Sequence, residues 1–339
     1  MCVNKKMWAI LVHLSMHQWN KHYDTLPFDD NMWDYIIKES EKAGINTIVL
    51  DVGDGVQFAS HPEIAMDGAW TKKRVHDEIR KCKAHGITLI PKLNFATTHD
   101  FWLGEYARMI STKTYYKVCY DLIKEIYEIF EHPEYIHIGM DEESAKHVAK
   151  LQYAVFRQGE LYWHDVRFLL DCVHETGAIP WMWSCPLFEN VEDYKKYISP
   201  DECVLSPWYY NAFRKEHWTP VESRAEYVAY YNEGMYKEMG IKYVEEDPFL
   251  VNFRNVALPL LKEGFSYIPC ASVFNRCDWN THDLLEYFKD NAPDEQIFGY
   301  ITAPWVPTLP TERSMLFYEE SFKFLKEAKE TIYYDREGN

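Results

Sequence analysis

Short apolar segments alternate with amphipathic segments along this sequence, and that alternation limits the possible folds more than any other feature. The apolar segments have the length and uniform hydrophobicity of strands buried on both faces, as in parallel sheets. They cover residues 8–14, 46–51, 87–93, 135–139, 178–183, 203–207, 265–273 and 297–302. Between them, apolar residues recur at helical spacing in residues 29–43, 72–85, 115–130, 166–173, 221–239, 256–262 and 312–329. The pattern predicts an α/β protein with a parallel sheet.

A closed (β/α)₈ TIM barrel is the architecture that this pattern favours. Eight strands that alternate with helical sequence match the repeat of that fold, and 339 residues lie within its usual range. No Gly-x-Gly-x-x-Gly turn follows any strand, which argues against a doubly wound dinucleotide-binding sheet. No repeat or linker divides the chain, so we expect a single domain over residues 1–339. In such a barrel, functional side chains belong at the carboxyl ends of the strands.

The charge, the cysteine pattern and the hydropathy of the sequence limit its possible partners and its cellular compartment. A net charge of −17 argues against binding to nucleic acid or to an anionic membrane surface. The eight cysteines are scattered without a Cys-x-x-Cys pair, which is typical of reduced thiols. No run of about 18 apolar residues occurs, and the first residues do not resemble a signal peptide. We therefore expect a cytoplasmic protein, and the sequence leaves its oligomeric state open.

The fourth predicted strand ends in two adjacent acids, Asp141 and Glu142. They follow an apolar strand and Gly139, where the chain breaks into a loop. Adjacent side chains can face one cavity there, and mutual repulsion in a partly dry site can keep one acid protonated as a general acid. The alternative is a solvated acidic turn at a helix amino terminus. The buried strand and glycine immediately before the acids favour the catalytic interpretation.

Residues 137–142, His-Ile-Gly-Met-Asp-Glu, resemble the His-Ile-Gly-Gly-Asp-Glu signature of family 20 glycoside hydrolases, the β-N-acetylhexosaminidases. Met140 stands where that family has its second glycine. The resemblance implies that Glu142 is the acid/base and that Asp141 orients the acetamido group of the substrate.

Two further strand ends are similar to segments of the same family. Residues 90–99 resemble its Ile-Pro-Glu-Ile-Asp-Met-Pro-Gly-His stretch, with Asn94 in place of the Asp and His99 as the implied partner that tunes Glu142. Residues 206–211 resemble its Ser-x-x-Tyr-Leu-Asp segment. There Tyr209 is implied to bind the acetamido oxygen, or Tyr210 if the register is shifted by one residue. Residues of these segments that are implied to contact substrate are Asn94, His99, Trp208, Tyr210 and Asn211.

Trp183 and Trp305 stand at strand ends where the family lines its sugar pocket with tryptophan, although either ring could simply cap the barrel core. Two departures concern the sugar hydroxyls. The family's arginine on strand one has no counterpart in residues 8–16, and Pro307 replaces a glutamate. His13, His17 and Asp51 are candidates to bind hydroxyls instead.

The resemblance implies a retaining, substrate-assisted hydrolase of a carbohydrate substrate, in which the 2-acetamido oxygen is the nucleophile. We expect neither metal nor cofactor, since His13, His17 and His22 lack convergent carboxylates at ligand spacing. Three alternatives stay open: a related glycosidase for sugars without the acetamido group, a non-catalytic carbohydrate-binding barrel, and an unrelated metal-dependent barrel hydrolase.

Overall fold

The structure is a computed structural model that describes residues 6–17, 22–143, 145–149, 151, 153–184, 191–217 and 248–334. Its strands are β1 (Met7–His13), β2 (Thr47–Asp51), β3 (Thr88–Lys92), β4 (Tyr135–His137), β5 (Ile179–Ser184), β6 (Val204–Pro207), β7 (Ser266–Tyr267), β8 (Cys270–Ala271) and β9 (Gly299–Thr302). Its α-helices are α1 (Asp30–Lys42), α2 (Lys72–Ala84), α3 (Lys113–Ile129), α4 (Ala145–Val148), α5 (Glu160–His174), α6 (Val191–Tyr197), α7 (Pro248–Lys262), α8 (Asn280–Asn291) and α9 (Glu312–Lys329). The helix predicted at residues 221–239 lies outside the described residues.

All strand pairs are parallel, and the strand order is β7-β6-β5-β4-β3-β2-β1-β9-β8. Helices connect successive strands because parallel neighbours need a crossover that returns the chain to the opposite end of the sheet. The predicted (β/α)₈ barrel is confirmed.

The predicted strand at residues 265–273 is instead two short strands, and this segment closes the barrel. Pro269 lies between β7 and β8 and has no backbone N–H to give to a ladder, so pairing is interrupted there. On one side, the Ile268 N–H donates to the Leu205 carbonyl at 2.9 Å, beside β6. On the other, the Ile301 N–H of β9 donates to the Pro269 carbonyl at 3.0 Å. One interrupted seventh strand therefore joins both ends of the sheet.

The barrel has an inner and an outer apolar core because successive strand residues point to opposite faces. Inward residues such as Leu11, Val49 and Ile90 fill the barrel interior and are almost fully buried. Outward residues pack against the helices. In α3, for example, Val118, Leu122 and Ile126 recur at helical spacing on the buried face.

Helix boundaries follow local signals in the sequence. Asp29 accepts a hydrogen bond from the Met32 N–H at 2.8 Å and so caps α1, and Gly44 adopts a left-handed φ of 68° just after that helix. In the described part of the chain, no helix combines the length and apolar character needed to cross a bilayer.

Candidate active site

The chain turns sharply where β4 ends, and this turn presents the two acids. Gly139, Met140 and Glu142 all have left-handed φ angles, of 73°, 70° and 61°. A Cβ atom at Gly139 would clash with the side chain of Asn94, so only glycine fits that position. Because of this left-handed turn, β4 ends at His137, two residues before the end of the predicted strand.

Asn94, at the carboxyl end of β3, fixes Asp141. Its side-chain oxygen accepts from the Met140 and Ala96 N–H groups at 3.2 and 3.1 Å, which leaves its amide nitrogen to donate to Asp141 Oδ1 at 2.9 Å. An ionised aspartate could accept both backbone bonds but could donate nothing to a second carboxylate. The asparagine that departs from the family pattern is therefore a hydrogen-bonding partner of the buried Asp141.

His99 lies against both acids. Its Nε2 is 3.2 Å from Glu142 Oε2 and 3.5 Å from Asp141 Oδ2. Burial lowers the pKa of His99, but the carboxylates of Asp141 and Glu142 outweigh burial and raise it above its usual value. The imidazole consequently keeps its proton to a higher pH and places a positive charge beside the candidate acid.

His147 is a second imidazole at Glu142 that the sequence interpretation missed. Its Nε2 lies 3.5 Å from Glu142 Oε1, the oxygen that His99 does not contact. His147 belongs to the short helix α4 in the β4–α5 loop. A histidine five residues after the acid pair was the available signal, but sequence alone does not fix how such a loop folds back.

Arg157 connects the two loops that carry the site. It is fully buried and pairs with Glu143 and Asp165, with its Nη1 3.0 Å from Asp165 Oδ2. It also donates to the Phe95 carbonyl at 2.8 Å, and Glu143 accepts from the Thr97 N–H at 2.8 Å. The β3 loop with His99 and the β4 loop with Glu142 are thus held together by one buried ionic network.

A second ionic group lies inside the barrel, in the row of inward-pointing strand side chains just below the acids. Lys92 Nζ is 2.5 Å from Asp51 Oδ2, and His13 Nδ1 is 3.3 Å from the same oxygen. Burial raises the pKa of Asp51, but the charges of Lys92 and His13 more than offset this and lower it. His137 in the same row has a pKa well below its usual value because of burial and the nearby Lys92 ammonium. A lysine inside an apolar strand was the sequence signal for this buried pair.

Aromatic side chains form one wall above this row. Trp183 is buried, with its ring centre 4.4 Å from His137 and 5.7 Å from Trp305. Trp305 also lies 5.8 Å from His13 and has a left-handed φ of 53°. The Trp183 Nε1 atom has no hydrogen-bond partner among the described residues.

The structure corrects the register at β6. Trp208 and Tyr210 pack against the inner core and stack on each other at 5.1 Å, whereas Tyr209 packs into the outer core against Phe213 at 5.1 Å. Alternation along an extended chain puts residues 208 and 210 on one face and residue 209 on the other. Burial raises the pKa of Tyr210 well above its usual value, and Cys270, Glu142 and Asp141 raise it further. Tyr210, not Tyr209, therefore lies on the inner face of the barrel.

The remaining predicted contact, Asn211, lies in the loop after β6. Its side-chain oxygen accepts from Asn275 at 3.1 Å, and its carbonyl accepts from Asn280 at 2.9 Å. These bonds attach the β6 loop to the β8–α8 loop.

His17, which was a candidate for hydroxyl binding, pairs with Asp54. Its Nε2 lies 2.9 Å from Asp54 Oδ2, and Ser15 donates to the other oxygen of that carboxylate. The His17 and His22 rings are 5.8 Å apart.

Among the described residues, one group of three side chains could hold a metal ion, namely His99, Asp141 and Glu142. Each offers one ligand atom, and the three atoms lie within 4.8 Å of one another. Histidine and carboxylate ligands of this kind suit Zn²⁺ or Mn²⁺. The expectation of a metal-free site stays a prediction.

No protein-family model matches this sequence, and no curated protein matches it. Many solved structures do match its fold. Dispersin B is 13% identical with a TM-score of 0.58, and the match covers 96% of this chain and 98% of that chain. A mutant Streptomyces plicatus β-hexosaminidase in complex with product GlcNAc is 11% identical with a TM-score of 0.62, over 98% of this chain and 66% of that one.

A family 20 exo-β-N-acetylglucosaminidase from Vibrio harveyi, in complex with N-acetylglucosamine, is 14% identical with a TM-score of 0.59. The match covers 95% of this chain but 54% of the Vibrio protein, so the chain spans about half the length of that relative. The similarity extends over nearly the whole chain in each case, and the protein has the barrel fold of the family 20 β-N-acetylhexosaminidases.

Proposed function

We propose that this protein is a retaining, substrate-assisted β-N-acetylhexosaminidase. The observation that carries the proposal is the adjacent pair Asp141 and Glu142 at the carboxyl end of β4, with Asn94 on the first acid and His99 on the second. Its fold is that of proteins whose names state this activity. In barrels of this kind the carboxyl ends of the strands carry the chemistry.

In the proposed reaction, Glu142 protonates the glycosidic oxygen while the substrate's own acetamido oxygen attacks the anomeric carbon. The bond to the leaving group breaks, and a bicyclic oxazolinium-type intermediate forms. Glu142 then removes a proton from water as that water opens the ring. His99 as imidazolium stabilises the Glu142 carboxylate after the first proton has left.

Asp141 holds the acetamido N–H and offsets the positive charge that develops on the intermediate. Asn94 donates to its Oδ1, and Oδ2, which lies 3.5 Å from His99 Nε2, is the oxygen that would accept from the amide. Tyr210 takes the role that the sequence gave to Tyr209, because its phenol is on the inner face and stays protonated at neutral pH. Trp183 and Trp305 supply an apolar wall for the sugar ring.

Substrate preference tests the proposal. The purified protein should cleave nitrophenyl N-acetyl-β-glucosaminide or galactosaminide, and a thiazoline mimic of the intermediate should inhibit it strongly. Asp141→Asn should weaken that inhibitor as well as turnover. Faster cleavage of plain β-glucosides or galactosides, with no effect of the thiazoline, would favour the related glycosidase without acetamido specificity.

A metal-dependent hydrolase is the second candidate, because His99, Asp141 and Glu142 present a ligand set. A carbohydrate-binding protein without catalysis is a further outcome, and it would bind N-acetylglucosamine without hydrolysing any glycoside of the panel.

A further inference from the structure

The loops after β3 and β4 bring three potential ligand atoms together at the acid pair. His99 Nε2 lies 3.2 Å from Glu142 Oε2 and 3.5 Å from Asp141 Oδ2. The three atoms all lie within 4.8 Å of one another. With bonds of about 2.1 Å, neighbouring ligand atoms of a tetrahedral Zn²⁺ ion are roughly 3.4 Å apart. The two separations from the imidazole are therefore those of a tetrahedral zinc site.

The types of donor atom favour zinc among the common divalent cations. Imidazole nitrogen and carboxylate oxygen together suit Zn²⁺, whereas Mg²⁺ and Ca²⁺ prefer oxygen ligands alone. His147 places a second imidazole nitrogen 3.5 Å from Glu142 Oε1, so nitrogen is present on both sides of this carboxylate. Three protein ligands also leave one position of the tetrahedron for water.

The surrounding structure holds these ligands in place and leaves them within reach of an ion. Asn94 donates to Asp141 Oδ1 at 2.9 Å and so orients the carboxylate whose other oxygen is near His99. Outer hydrogen bonds of this kind orient metal ligands and strengthen metal binding. The side chains of His99, Asp141 and Glu142 are 16%, 10% and 20% exposed, so the site is shielded but not closed.

We propose that His99, Asp141 and Glu142 form a Zn²⁺ site and that the bound ion blocks the candidate active site. The inference rests on the proposed function and adds to it reversible inhibition by a divalent cation. Metal binding requires the ionised form of a carboxylate ligand, so Glu142 bound to zinc cannot carry the catalytic proton. Zinc at Asp141 Oδ2 also occupies the oxygen that would accept from the acetamido N–H. Zinc and substrate therefore exclude each other.

Direct binding measurements test the site without reference to activity. The intact protein is stripped of metal with a chelator and titrated with Zn²⁺ in a calorimeter at mildly alkaline pH, where histidine ligands are neutral. Glu142→Gln and His99→Asn each remove one ligand and should weaken zinc binding by about 10-fold or more. Mg²⁺ in place of Zn²⁺ should not bind. Zinc should also raise the melting temperature of the unaltered protein more than that of either variant, because the ion binds the folded state.

His61 provides a matched control on another part of the surface. It also lies between two carboxylates, with its Nδ1 3.1 Å from Glu63 and its Nε2 3.1 Å from Asp121. Because these carboxylates contact opposite nitrogens of the ring, the three groups do not converge on one ion. His61→Asn should leave zinc affinity unchanged. Equal losses in this control and in the two ligand variants, or no loss in the ligand variants, would overturn the inference.

Inhibition kinetics test whether the ion blocks the candidate active site. Zinc should raise KM for a nitrophenyl N-acetyl-β-glucosaminide without lowering kcat, and a chelator should reverse the effect. It should also weaken inhibition by the thiazoline, which occupies the same oxygens. A fall in kcat at unchanged KM would place the inhibitory ion elsewhere and overturn the inference.

The inference and the proposed function fail in different ways. If the protein cleaves N-acetylhexosaminides and binds no zinc, the zinc site is wrong and the proposed function stands. If zinc binds as predicted but no glycoside is cleaved with or without it, the proposed function is wrong and the binding data retain the site. If zinc restores hydrolysis that a chelator has abolished, the blocking role and the proposed function are both wrong.

Discussion

The imidazole of His99 and the carboxylate of Glu142 come from different loops yet approach to 3.2 Å, with Nε2 against Oε2. The contact is partly shielded, since the two side chains are 16% and 20% exposed. Arg157 and Glu143 hold the two loops at this separation through bonds to the Phe95 carbonyl and the Thr97 N–H. The pair is thus a product of tertiary structure.

His99→Asn should destabilise the protein in a pH-dependent way. The folded-state pKa of His99 is raised above the ordinary histidine value of 6.5, so its ion pairing with the acids contributes stability that is fully present below about pH 6.5 while they are ionised. That contribution disappears as pH rises through the folded pKa. Thermal unfolding of both proteins between pH 5 and 9 should show melting temperatures that converge at the alkaline end. A difference that grows with pH would contradict the sign.

Glu142→Gln should lower kcat on an unactivated glycoside by about 10²- to 10⁴-fold, because it removes the proton donor while keeping the size of the side chain. Melting temperature should change little once pH exceeds the folded-state pKa of His99, because the ion pair with His99 then contributes no stability. A substrate with a very good leaving group, measured in parallel, should lose less activity. Unchanged turnover on both substrates would assign the acid to another residue.

Tyr210→Phe and Tyr209→Phe form a matched pair, because each removes one phenol hydroxyl and the two side chains lie on opposite faces of the barrel wall. Loss of the inward phenol of Tyr210 should lower kcat/KM on N-acetylhexosaminides by about 10-fold or more. The Tyr209 change removes a hydroxyl from the outer core and should act on stability instead. Steady-state kinetics and thermal unfolding on both variants separate the two effects, and the reverse pattern would restore Tyr209 as the amide partner.

Asp100→Asn should raise the melting temperature at neutral pH. Burial raises the pKa of Asp100 well above its usual value, more than Arg157 lowers it, so ionisation opposes folding once pH exceeds the unfolded-state pKa of about 3.9. The stabilisation should therefore be present at pH 7 and absent at pH 3. Asp201→Asn, at an exposed position, is the control and should show no such trend. Equal gains at both pH values would point to packing instead of charge.

Dialysis against a chelator should leave activity intact if the substrate-assisted mechanism holds. The measurement compares nitrophenyl glycoside hydrolysis before and after treatment, with metal content determined on the same sample. Loss of activity that Zn²⁺ or Mn²⁺ restores would instead favour the metal-dependent hydrolase and assign His99, Asp141 and Glu142 as ligands.

The sequence predicted the barrel because hydrophobic periodicity is a local property, which can be recognised without any knowledge of tertiary contacts. The predicted helices at residues 29–43 and 72–85 match α1 and α2 within a residue at each end, and each has a capping side chain and a following glycine as signals. The seventh strand was harder, since its apolar run does not reveal that Pro269 divides it between two neighbours.

The roles of the site residues were less predictable because they depend on the face of the barrel to which each side chain points. Tyr209 and Tyr210 are the same residue type, so the sequence does not distinguish them. A shift of the register by one residue would exchange which of the two points to the inner face. His147 and Arg157 act through a loop whose path no periodicity encodes. Lys92 could have been noticed, since an isolated lysine in an apolar strand requires a buried counter-charge, and Asp51 is its partner on the adjacent strand.

The interruption at Pro269 gives the barrel a seam, and the position of that seam has a consequence for local unfolding. The two strands that meet there have two residues each, so few hydrogen bonds resist opening. The seam lies directly across the ring from β3. A fluctuation that separates β7 from β6, or β8 from β9, would break contacts on the side of the barrel opposite the β3–β4 pair. The part of the barrel that aligns His99 with Glu142 therefore lies opposite the seam.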